Sequence, residues 1–234
     1  MIALLDADIF VYRVGAVSND DTVHHAQQKM DAFIEGLLIE LDDCYQWELY
    51  ITGKNNFRKE KAVTAPYKGN RKSEKPTHYE ALRKHLQKKW KASLIDDKEA
   101  DDMLAIRQIE LTKDYKELDN SIIVTLDKDL DQIEGWHYNF VKKDKYLVEH
   151  EEALLNFYKQ FLTGDRVDNI IGVKGIGDVK ATKLLEGKTE KEMWDIIVEH
   201  LGLDRAMENG HLLYMLRHKV DSFDNYVKTM ELLG

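Results

Sequence analysis

Two apolar runs, each followed at once by an Asp-x-Asp sequence, constrain the fold of this chain most. Ile2–Leu5 leads into Asp6-Ala7-Asp8, and Ser121–Leu126 leads into Asp127-Lys128-Asp129. Short continuous apolar runs are typical of strands buried inside a parallel sheet. The carboxyl ends of such strands lie at the edge of an α/β sheet where ligands bind. The repeat therefore predicts an α/β fold with four carboxylates at one sheet edge.

A third group of acids begins another apolar-periodic segment, at Glu99-Ala100-Asp101-Asp102. Glu99 and Asp102 are three residues apart, so on a helix they share one face. Acids at a helix start can simply cap it. Carboxylates gathered from three segments repel one another unless cations hold them, however, so the pattern favours a site for divalent metal ions.

The composition describes a globular protein without a membrane partner. With 234 residues, of which 43% are hydrophobic and 33% charged, the chain can form one large domain or a main domain with a smaller helical lobe. No run reaches membrane-span length, and the N-terminus lacks the flanks of a signal peptide, so we expect a cytoplasmic protein. The single cysteine, Cys44, excludes an internal disulfide and argues against a zinc cage.

Positive charge is concentrated in one segment of an acidic chain. Residues 54–91 carry 13 Lys and Arg against 3 Glu, a balance of +10 in a chain of net charge −9, which leaves −19 elsewhere. Pro66 and Pro76 both lie here, which predicts a loop or a pair of short helices. Within this segment Tyr67 could stack on a base, while Lys68 and Arg71 could hold phosphates. We interpret the segment as an arm for a polyanion.

A glycine-rich turn lies between two predicted helices, 149–162 and the helix that contains Ala181 and Leu185. The turn and the start of the second helix carry three glycines and three lysines: Gly172, Gly175, Gly177, Lys174, Lys180 and Lys183. Such a turn is often only a connector, but the lysines favour a phosphate-binding hairpin. Further predicted helical segments, including 190–200 and 212–220, contain no recognisable catalytic or ligand-binding motif.

Together these motifs resemble the metal-dependent 5′-nucleases, or flap endonucleases, of bacteriophage and bacterial replication, from Leu4 to about Leu185. The resemblance rests on Leu4-Leu5-Asp6, Phe57-Arg58, Tyr67–Arg71, Glu99–Asp102, Asp127–Asp129 and Gly164–Gly177. It implies an α/β core of the PIN-like 5′-nuclease type, with a mostly parallel central sheet flanked by helices, over residues 1–150. That core would include a basic helical arch at 54–91. A helical lobe over 151–234 would carry a helix-hairpin-helix motif at 163–187.

The resemblance also implies the cofactors and their ligands. It assigns two Mg²⁺ or Mn²⁺ ions to the acids Asp6, Glu99, Asp101, Asp102, Asp127, Asp129, Asp165 and Asp168. A K⁺ ion often accompanies the helix-hairpin-helix in this family. Two divalent ions about 3.5 to 4 Å apart can generate hydroxide at a phosphodiester and stabilise the leaving oxygen, so no protein nucleophile is required.

The implied partner is DNA with a 5′ end, in branched, nicked or flapped duplexes, with RNA-primer hybrids as further substrates of a monomeric enzyme. Lys68 and Arg71 would be the catalytic phosphate clamps, and Tyr67 a stacking residue. The implied DNA contacts also include Arg58, Lys72, Gly172, Lys174, Gly175, Gly177, Lys180 and Lys183. One position departs from the family, because Thr52 or Gly53 stands where another aspartate is usual; Asp8 could supply that carboxylate.

Two other functions fit parts of the sequence. In haloacid-dehalogenase-type phosphatases an N-terminal strand also leads into Asp-x-Asp, and Gly164-Asp165 with Asp168 resembles their last motif. That hypothesis leaves Glu99–Asp102, the basic segment and the glycine hairpin without a purpose. A branched-DNA-binding protein with weakened catalysis, with Gly53 marking a lost ligand, is the second alternative.

Overall fold

The computed structural model describes residues 1–72, 74–115 and 118–233. The strands are β1 (Ile2–Asp6), β2 (Gln46–Thr52), β3 (Ser93–Ile95), β4 (Ser121–Val124), β5 (Gly135–Asn139), β6 (Asp144–Val148), β7 (Gly164–Asp165) and β8 (Ile170–Ile171). The α-helices are α1 (Ala7–Ala16), α2 (Val23–Glu40), α3 (Arg58–Lys61), α4 (Tyr79–Lys89), α5 (Ala100–Tyr115), α6 (His150–Thr163), α7 (Asp178–Leu185), α8 (Glu190–Leu201), α9 (Leu203–Leu213) and α10 (Phe223–Thr229). Short 3₁₀ helices cover Leu118–Asn120 and Lys128–Gln132.

The chain divides into two compact units. Unit 1 comprises Met1–Asn56, Ser73–Lys128 and Gly135–Leu147, and unit 2 comprises Phe57–Lys72, Asp129–Glu134 and Val148–Gly234. This division differs from the expected domains 1–150 and 151–234, because residues 57–72 and 129–134 group with the helical lobe.

Unit 1 is built on a six-stranded sheet in the order β3-β2-β1-β4-β5-β6. Strand β1 pairs in parallel with β2 and β4, and the pairs β2/β3 and β4/β5 are also parallel. Every residue of β1 is buried, as expected for a central strand with both faces covered. The predicted mostly parallel α/β sheet is confirmed, with the two Asp-x-Asp strands as neighbours.

Aromatic packing closes the core of unit 1. The ring of Phe10 lies 5.1 Å from that of Phe33 and 5.5 Å from that of Phe140, both edge to face. Helices α1, α2 and α4 contact one another, while α5 contacts β1, β2 and β4. These helices and the sheet hold the ends of β1, β2 and β4 in place.

Unit 2 is a helical unit around a second aromatic cluster. Phe157 and Phe161 on α6 lie 5.1 Å apart, and the Phe161 ring contacts Trp194 of α8 and Phe223 of α10 at about 6 Å. Helix α6 also contacts α7 and α9. In the part of the chain that the structure describes, no helix has the length and apolar character needed to span a membrane.

Segment 57–72 belongs to unit 2 because its polar groups are satisfied there. The guanidinium of Arg58 donates to the carbonyl oxygens of Leu212 (2.9 Å) and Tyr214 (2.8 Å). Glu208 on α9 accepts from the backbone N–H groups of Val63 and Thr64 at 2.8 and 2.6 Å. Buried carbonyls and a charged side chain require such partners, which explains why the segment leaves the α/β unit.

The prediction of a helix over residues 212–220 is wrong. Helix α9 ends at Leu213, and the next helix begins only at Phe223. Gln132 donates to the Leu213 carbonyl at 3.1 Å and accepts from the Met215 N–H at 3.1 Å. Together with Arg58, this side chain binds the backbone groups that a continuing helix would have paired, so the apolar residues after α9 are buried in irregular chain.

Candidate metal-binding and phosphate-binding sites

Asp6 lies at the junction of β1 and α1. Its Oδ2 accepts from the Thr125 hydroxyl at 2.8 Å, and its Oδ1 accepts from the Ile9 N–H at 3.4 Å as the N-cap of α1. Since β1 and β4 pair up to Leu5 and Val124, Asp6, the last residue of β1, lies beside Thr125, the first residue after β4. The side chain is only 2% exposed.

The surroundings of Asp6 disfavour its negative charge. Burial raises the pKa of Asp6 most, the nearby carboxylates of Asp8 and Asp127 raise it further, and the bond from Thr125 opposes them, with the result at about 7. The Asp127 N–H in turn donates to the Thr125 hydroxyl oxygen at 3.0 Å. A cation beside these acids would relieve the repulsion, which is the electrostatic signature of a metal site.

Asp8 is held by Thr52 and Arg83. Its Oδ2 accepts from the Thr52 N–H at 2.9 Å, and its Oδ1 forms a 3.0 Å ion pair with Arg83. Arg83 also donates to the Thr52 carbonyl oxygen at 2.5 Å. Burial raises the pKa of Asp8, while Thr52 and Arg83 lower it and Glu99 raises it. The use of Asp8 as a replacement metal ligand stays a prediction.

The sequence interpretation counted Arg83 only among the cations of residues 54–91 and gave it no role of its own. Arg83 is buried and lies at the end of β2, where it contacts Asp8. It is the only arginine of the helix, and it follows Tyr79 by one turn, which could have indicated a distinct role.

Two of the three acids at the start of α5 are buried. Asp102 is 0% exposed and Glu99 is 8% exposed, whereas Asp101 is intermediate. The Asp102 Oδ2 accepts from the Glu99 N–H at 3.0 Å, which is half of a capping box. The Thr52 hydroxyl oxygen accepts from the Ala100 N–H at 2.9 Å and so fixes the helix start to β2. Capping alone does not need two buried carboxylates at one helix start.

Unit 2 carries a compact group of three aspartates. One carboxylate oxygen from each of Asp129, Asp165 and Asp168 lies within 4.8 Å of the others. Gln160 donates to the Asp129 Oδ1 at 2.8 Å. Among residues 1–72, 74–115 and 118–233, this is the one group in which three potential metal-ligand atoms approach so closely. The expected pair Asp127 and Asp129 is divided, with Asp127 in unit 1.

Two glycines allow the β7–β8 hairpin to carry Asp165 and Asp168. Gly164 has a φ of +68°, which favours glycine, and a Cβ at Gly164 or at Gly172 would overlap the backbone of the other. Gly164 pairs with Ile171 and Asp165 pairs with Ile170. The tight hairpin therefore places Asp165 at the end of β7 and Asp168 in the turn that follows it.

The predicted phosphate clamps contact Asp168. Arg71 Nη2 lies 2.6 Å from the Asp168 Oδ1, and the Lys68 Nζ lies 3.6 Å from Oδ2. The Tyr67 hydroxyl donates to the same Oδ2 at 2.6 Å. The structure therefore brings the basic loop and one predicted metal ligand into direct contact.

Two predicted DNA contacts are buried within unit 2. Arg58 is 3% exposed and Tyr67 is 6% exposed. The guanidinium of Arg58 is bonded to carbonyl oxygens, and the Tyr67 ring lies 5.0 Å from the Lys68 ammonium. These contacts give both side chains a structural role, and their contact with DNA stays a prediction. Lys72, the next cation of the loop, is exposed.

The glycine hairpin before α7 has the form expected of a phosphate-binding turn. Gly175 has a φ of +82°, Gly177 is the N-cap of α7, and the buried Ile176 anchors the turn. Lys174, Lys180 and Lys183 are all exposed. A shallow groove of about 420 Å³ runs along Gly177–Lys180 and Lys183. Exposed backbone and lysines at a helix N-terminus can bind phosphate oxygens.

Sequence comparisons do not identify a relative. No family model matches the sequence, and no curated protein matches it.

Three solved bacteriophage T5 structures, in contrast, match almost end to end. A T5 protein co-crystallized with metal ions has a TM-score of 0.65 at 17% identity and covers 100% of this chain and 93% of its own. A T5 flap endonuclease in a complex with DNA and metal ions has a TM-score of 0.60 at 16% identity, covering 99% and 98%. A T5 5′-exonuclease with bound zinc ions has a TM-score of 0.62 at 17% identity, also covering 99% and 98%.

The predicted resemblance to 5′-nucleases is thus confirmed for the fold over the whole length. The likeness to a haloacid-dehalogenase-type phosphatase was limited to two short motifs, whereas the match to the T5 structures includes both units. The chain adopts the fold of these flap endonuclease and 5′-exonuclease structures.

Proposed function

We propose that the chain is a structure-specific 5′-nuclease, with 5′→3′ exonuclease and flap endonuclease activity, that hydrolyses DNA with two divalent metal ions. The observation that carries this proposal is the group Asp129, Asp165 and Asp168 beside a basic loop, in a fold shared with solved 5′-nucleases. The buried acids Asp6, at the end of β1, and Glu99 and Asp102, at the start of α5, support it.

The donor atoms fit hard divalent cations. The candidate ligands in both units are carboxylates, and oxygen ligands suit Mg²⁺ and Mn²⁺. In unit 1 we assign metal binding to Asp6, Glu99, Asp101, Asp102 and Asp127, and in unit 2 to Asp129, Asp165 and Asp168. Bound ions would supply an activated hydroxide and stabilise the leaving oxygen. A K⁺ ion at the glycine hairpin is a further proposal.

The chain's own cations would act on the scissile phosphate. Lys68 and Arg71 would stabilise the charge that develops on the phosphoryl oxygens, and Lys72 would hold the neighbouring phosphate. The hairpin lysines would bind duplex DNA through its backbone, without reading its sequence. A monomeric state, a cytoplasmic location and activity on RNA-primer hybrids stay predictions.

One gel tests the proposal. The purified chain is incubated with 5′-end-labelled flap, nicked, gapped and single-stranded DNA, with Mg²⁺, with Mn²⁺ and with EDTA. We expect metal-dependent products from the flap and nicked duplexes. Binding of branched DNA without cleavage in either metal would instead support the alternative of a DNA-binding protein with weakened catalysis. This alternative is considered because Thr52 or Gly53 stands at the position where the resembled family usually has an aspartate.

Removal of the hairpin lysines should weaken duplex binding. Replacement of Lys174, Lys180 and Lys183 by Ala should make the plot of log binding constant against log salt concentration less steep. Its slope should fall by up to about 0.9 for each phosphate that is no longer neutralised. The measurement is the dissociation constant for a duplex between about 50 and 200 mM salt. Replacement of Lys188 and Lys228, exposed lysines of the same unit, is the control. An unchanged slope would make the hairpin a connector.

The missing aspartate can be supplied at Thr52. The side chain of Thr52 already accepts from the Ala100 N–H, and an aspartate there could do the same while adding a negative charge near Asp8. Because affinity for hard cations rises with ligand charge, Thr52→Asp should lower the half-saturating Mg²⁺ concentration several-fold.

Gly53→Asp is the matched control for this substitution. A Cβ at Gly53 would overlap the Asp96 carboxylate and lie 2.8 Å from the Ile95 carbonyl oxygen, so this variant should lose stability without gaining metal affinity. Mg²⁺ titrations of cleavage and thermal melts of both variants separate the two effects. Equal Mg²⁺ curves for Thr52→Asp and wild type would show that Thr52 lies outside the metal site.

A further inference from the structure

One carboxylate, that of Asp168, binds three side chains of the basic loop. Its Oδ1 pairs with Arg71 at 2.6 Å, and its Oδ2 accepts from the Tyr67 hydroxyl at 2.6 Å and lies 3.6 Å from the Lys68 ammonium. Asp168 also belongs to the three-aspartate group with Asp129 and Asp165. The two oxygens that could bind a cation are therefore the same oxygens that bind the side chains of Tyr67, Lys68 and Arg71.

The loop is also fixed to the β7–β8 hairpin by bonds that do not use this carboxylate. The Lys68 N–H donates to the Asp168 backbone oxygen at 2.9 Å. The Asn70 amide donates to the Arg166 carbonyl oxygen at 2.5 Å, and the Asn169 amide donates to that of Pro66 at 3.0 Å. The loop backbone can therefore remain beside the aspartates while its side chains change partners.

A divalent cation and the loop side chains would compete for Asp168. A cation that takes one of its oxygens displaces a donor from that oxygen and repels the ammonium of Lys68 and the guanidinium of Arg71. By thermodynamic linkage, this coupling is reciprocal. The bonds from the loop lower the affinity for the metal ion, and the metal ion weakens the bonds from the loop by the same factor.

We propose that the carboxylate of Asp168 is shared between the metal site and the phosphate-binding loop. Without a cation it holds Lys68 and Arg71 against the hairpin, and cation uptake by the three aspartates releases these side chains to bind phosphate. The inference rests on the proposed metal site in unit 2. It adds that the loop becomes available for DNA only when that site is filled.

A substitution that changes no charge tests the competition. Tyr67→Phe removes one neutral donor from the Asp168 Oδ2, so Mn²⁺ affinity measured by calorimetry without DNA should rise about 3- to 10-fold, the scale of one hydrogen bond. Tyr214→Phe is the matched control, because Tyr214 makes the same type of bond to Asp221 at 2.8 Å outside the three-aspartate group. That variant should bind Mn²⁺ like wild type.

Acetylation of the Lys68 ammonium, followed by mass spectrometry, provides a second readout that reports on the side chain and not on the backbone. It should be faster with Ca²⁺ than with EDTA in wild type, and fast under both conditions in Asp168→Asn. Ca²⁺ protection of Lys68, or equal Mn²⁺ affinity of Tyr67→Phe and wild type, would overturn the shared role of Asp168. If wild type bound no Mn²⁺, the proposed metal site itself would fail.

Discussion

Asp6→Asn is expected to lose at least about 100-fold in cleavage rate while the metal-free protein becomes more stable. Mutation of a residue that only hydrogen-bonds to a metal ligand typically lowers metal affinity or activity about 10- to 100-fold. Loss of the charge of a metal ligand itself should lower the activity by at least this factor. Asparagine keeps one side-chain oxygen, which can still cap α1, and its amide NH₂ can donate to the Thr125 hydroxyl oxygen in place of the bond that Asp6 accepts there. The substitution therefore removes charge with little change in shape.

The gain in stability follows from the raised pKa of Asp6. Its value of about 7 in the folded protein exceeds the value of about 3.9 expected for an unfolded aspartate. The folded state thus binds a proton that the unfolded state has lost, and the metal-free protein is destabilised as pH rises from about 4 to about 7. Below about pH 4 this cost is absent, and above about pH 7 it is complete, at up to about 4 kcal/mol.

Thermal and urea unfolding in EDTA at several pH values measure this effect. Above pH 7 Asp6→Asn should unfold at a higher temperature than wild type, and the difference should disappear toward pH 4. Asp42→Asn, an exposed site in the same unit, is the control for removal of one negative charge. A less stable Asp6→Asn protein at pH 8 would mean that its lost activity reflects damaged folding. Activity near that of wild type would remove Asp6 from the metal ligands.

The sheet and its acids could be predicted because they depend on local patterns. Ile2–Leu5 and Ile122–Val124 are apolar throughout, a pattern that favours central strands, and neighbouring parallel strands end at one edge. The glycine hairpin was equally visible, since Gly175 needs a positive φ. In these cases one short stretch contains the whole physical reason for the structure.

The remaining features depend on contacts between distant parts of the chain. Arg58 is bonded to carbonyls more than 150 residues away, and Asp168 binds a loop about 100 residues earlier. In sequence, Arg58 is one of many cations, and nothing marks it as buried. For the same reason the boundary between the units could not be placed, because the partners of residues 57–72 lie in the C-terminal half.

The buried charged groups of the two units differ in their effect on stability. In unit 2, the guanidinium of Arg58 has hydrogen-bond partners in the carbonyl oxygens of Leu212 and Tyr214, so its burial is compensated. Asp6 instead keeps a raised pKa among like charges. Strain of this kind persists when the surrounding fold is stable enough to impose it, and it is concentrated at functional sites.

Lys68→Ala should lower the cleavage rate by roughly 100-fold or more under saturating metal and DNA, the scale for loss of one preorganised charged donor at the transition state. The position is defined by the backbone as well as by the side chain. Lys68 has a φ of +57° and donates its N–H to the Asp168 backbone oxygen, so its ammonium is delivered from a fixed turn. Once the ammonium has left Asp168, the backbone of this turn needs little reorganisation when charge develops on the phosphate.

Single-turnover cleavage of a flap substrate, with binding measured separately in Ca²⁺, distinguishes a role in the reaction from a role in binding. Lys59→Ala is the control, because Lys59 is an exposed cation of the same segment. If Lys68→Ala changed only the dissociation constant for DNA, Lys68 would be a positioning contact in the ground state. If the single-turnover rate falls while affinity stays within a few-fold, the interaction forms chiefly in the transition state, since only interactions stronger there than in the bound substrate accelerate the chemical step.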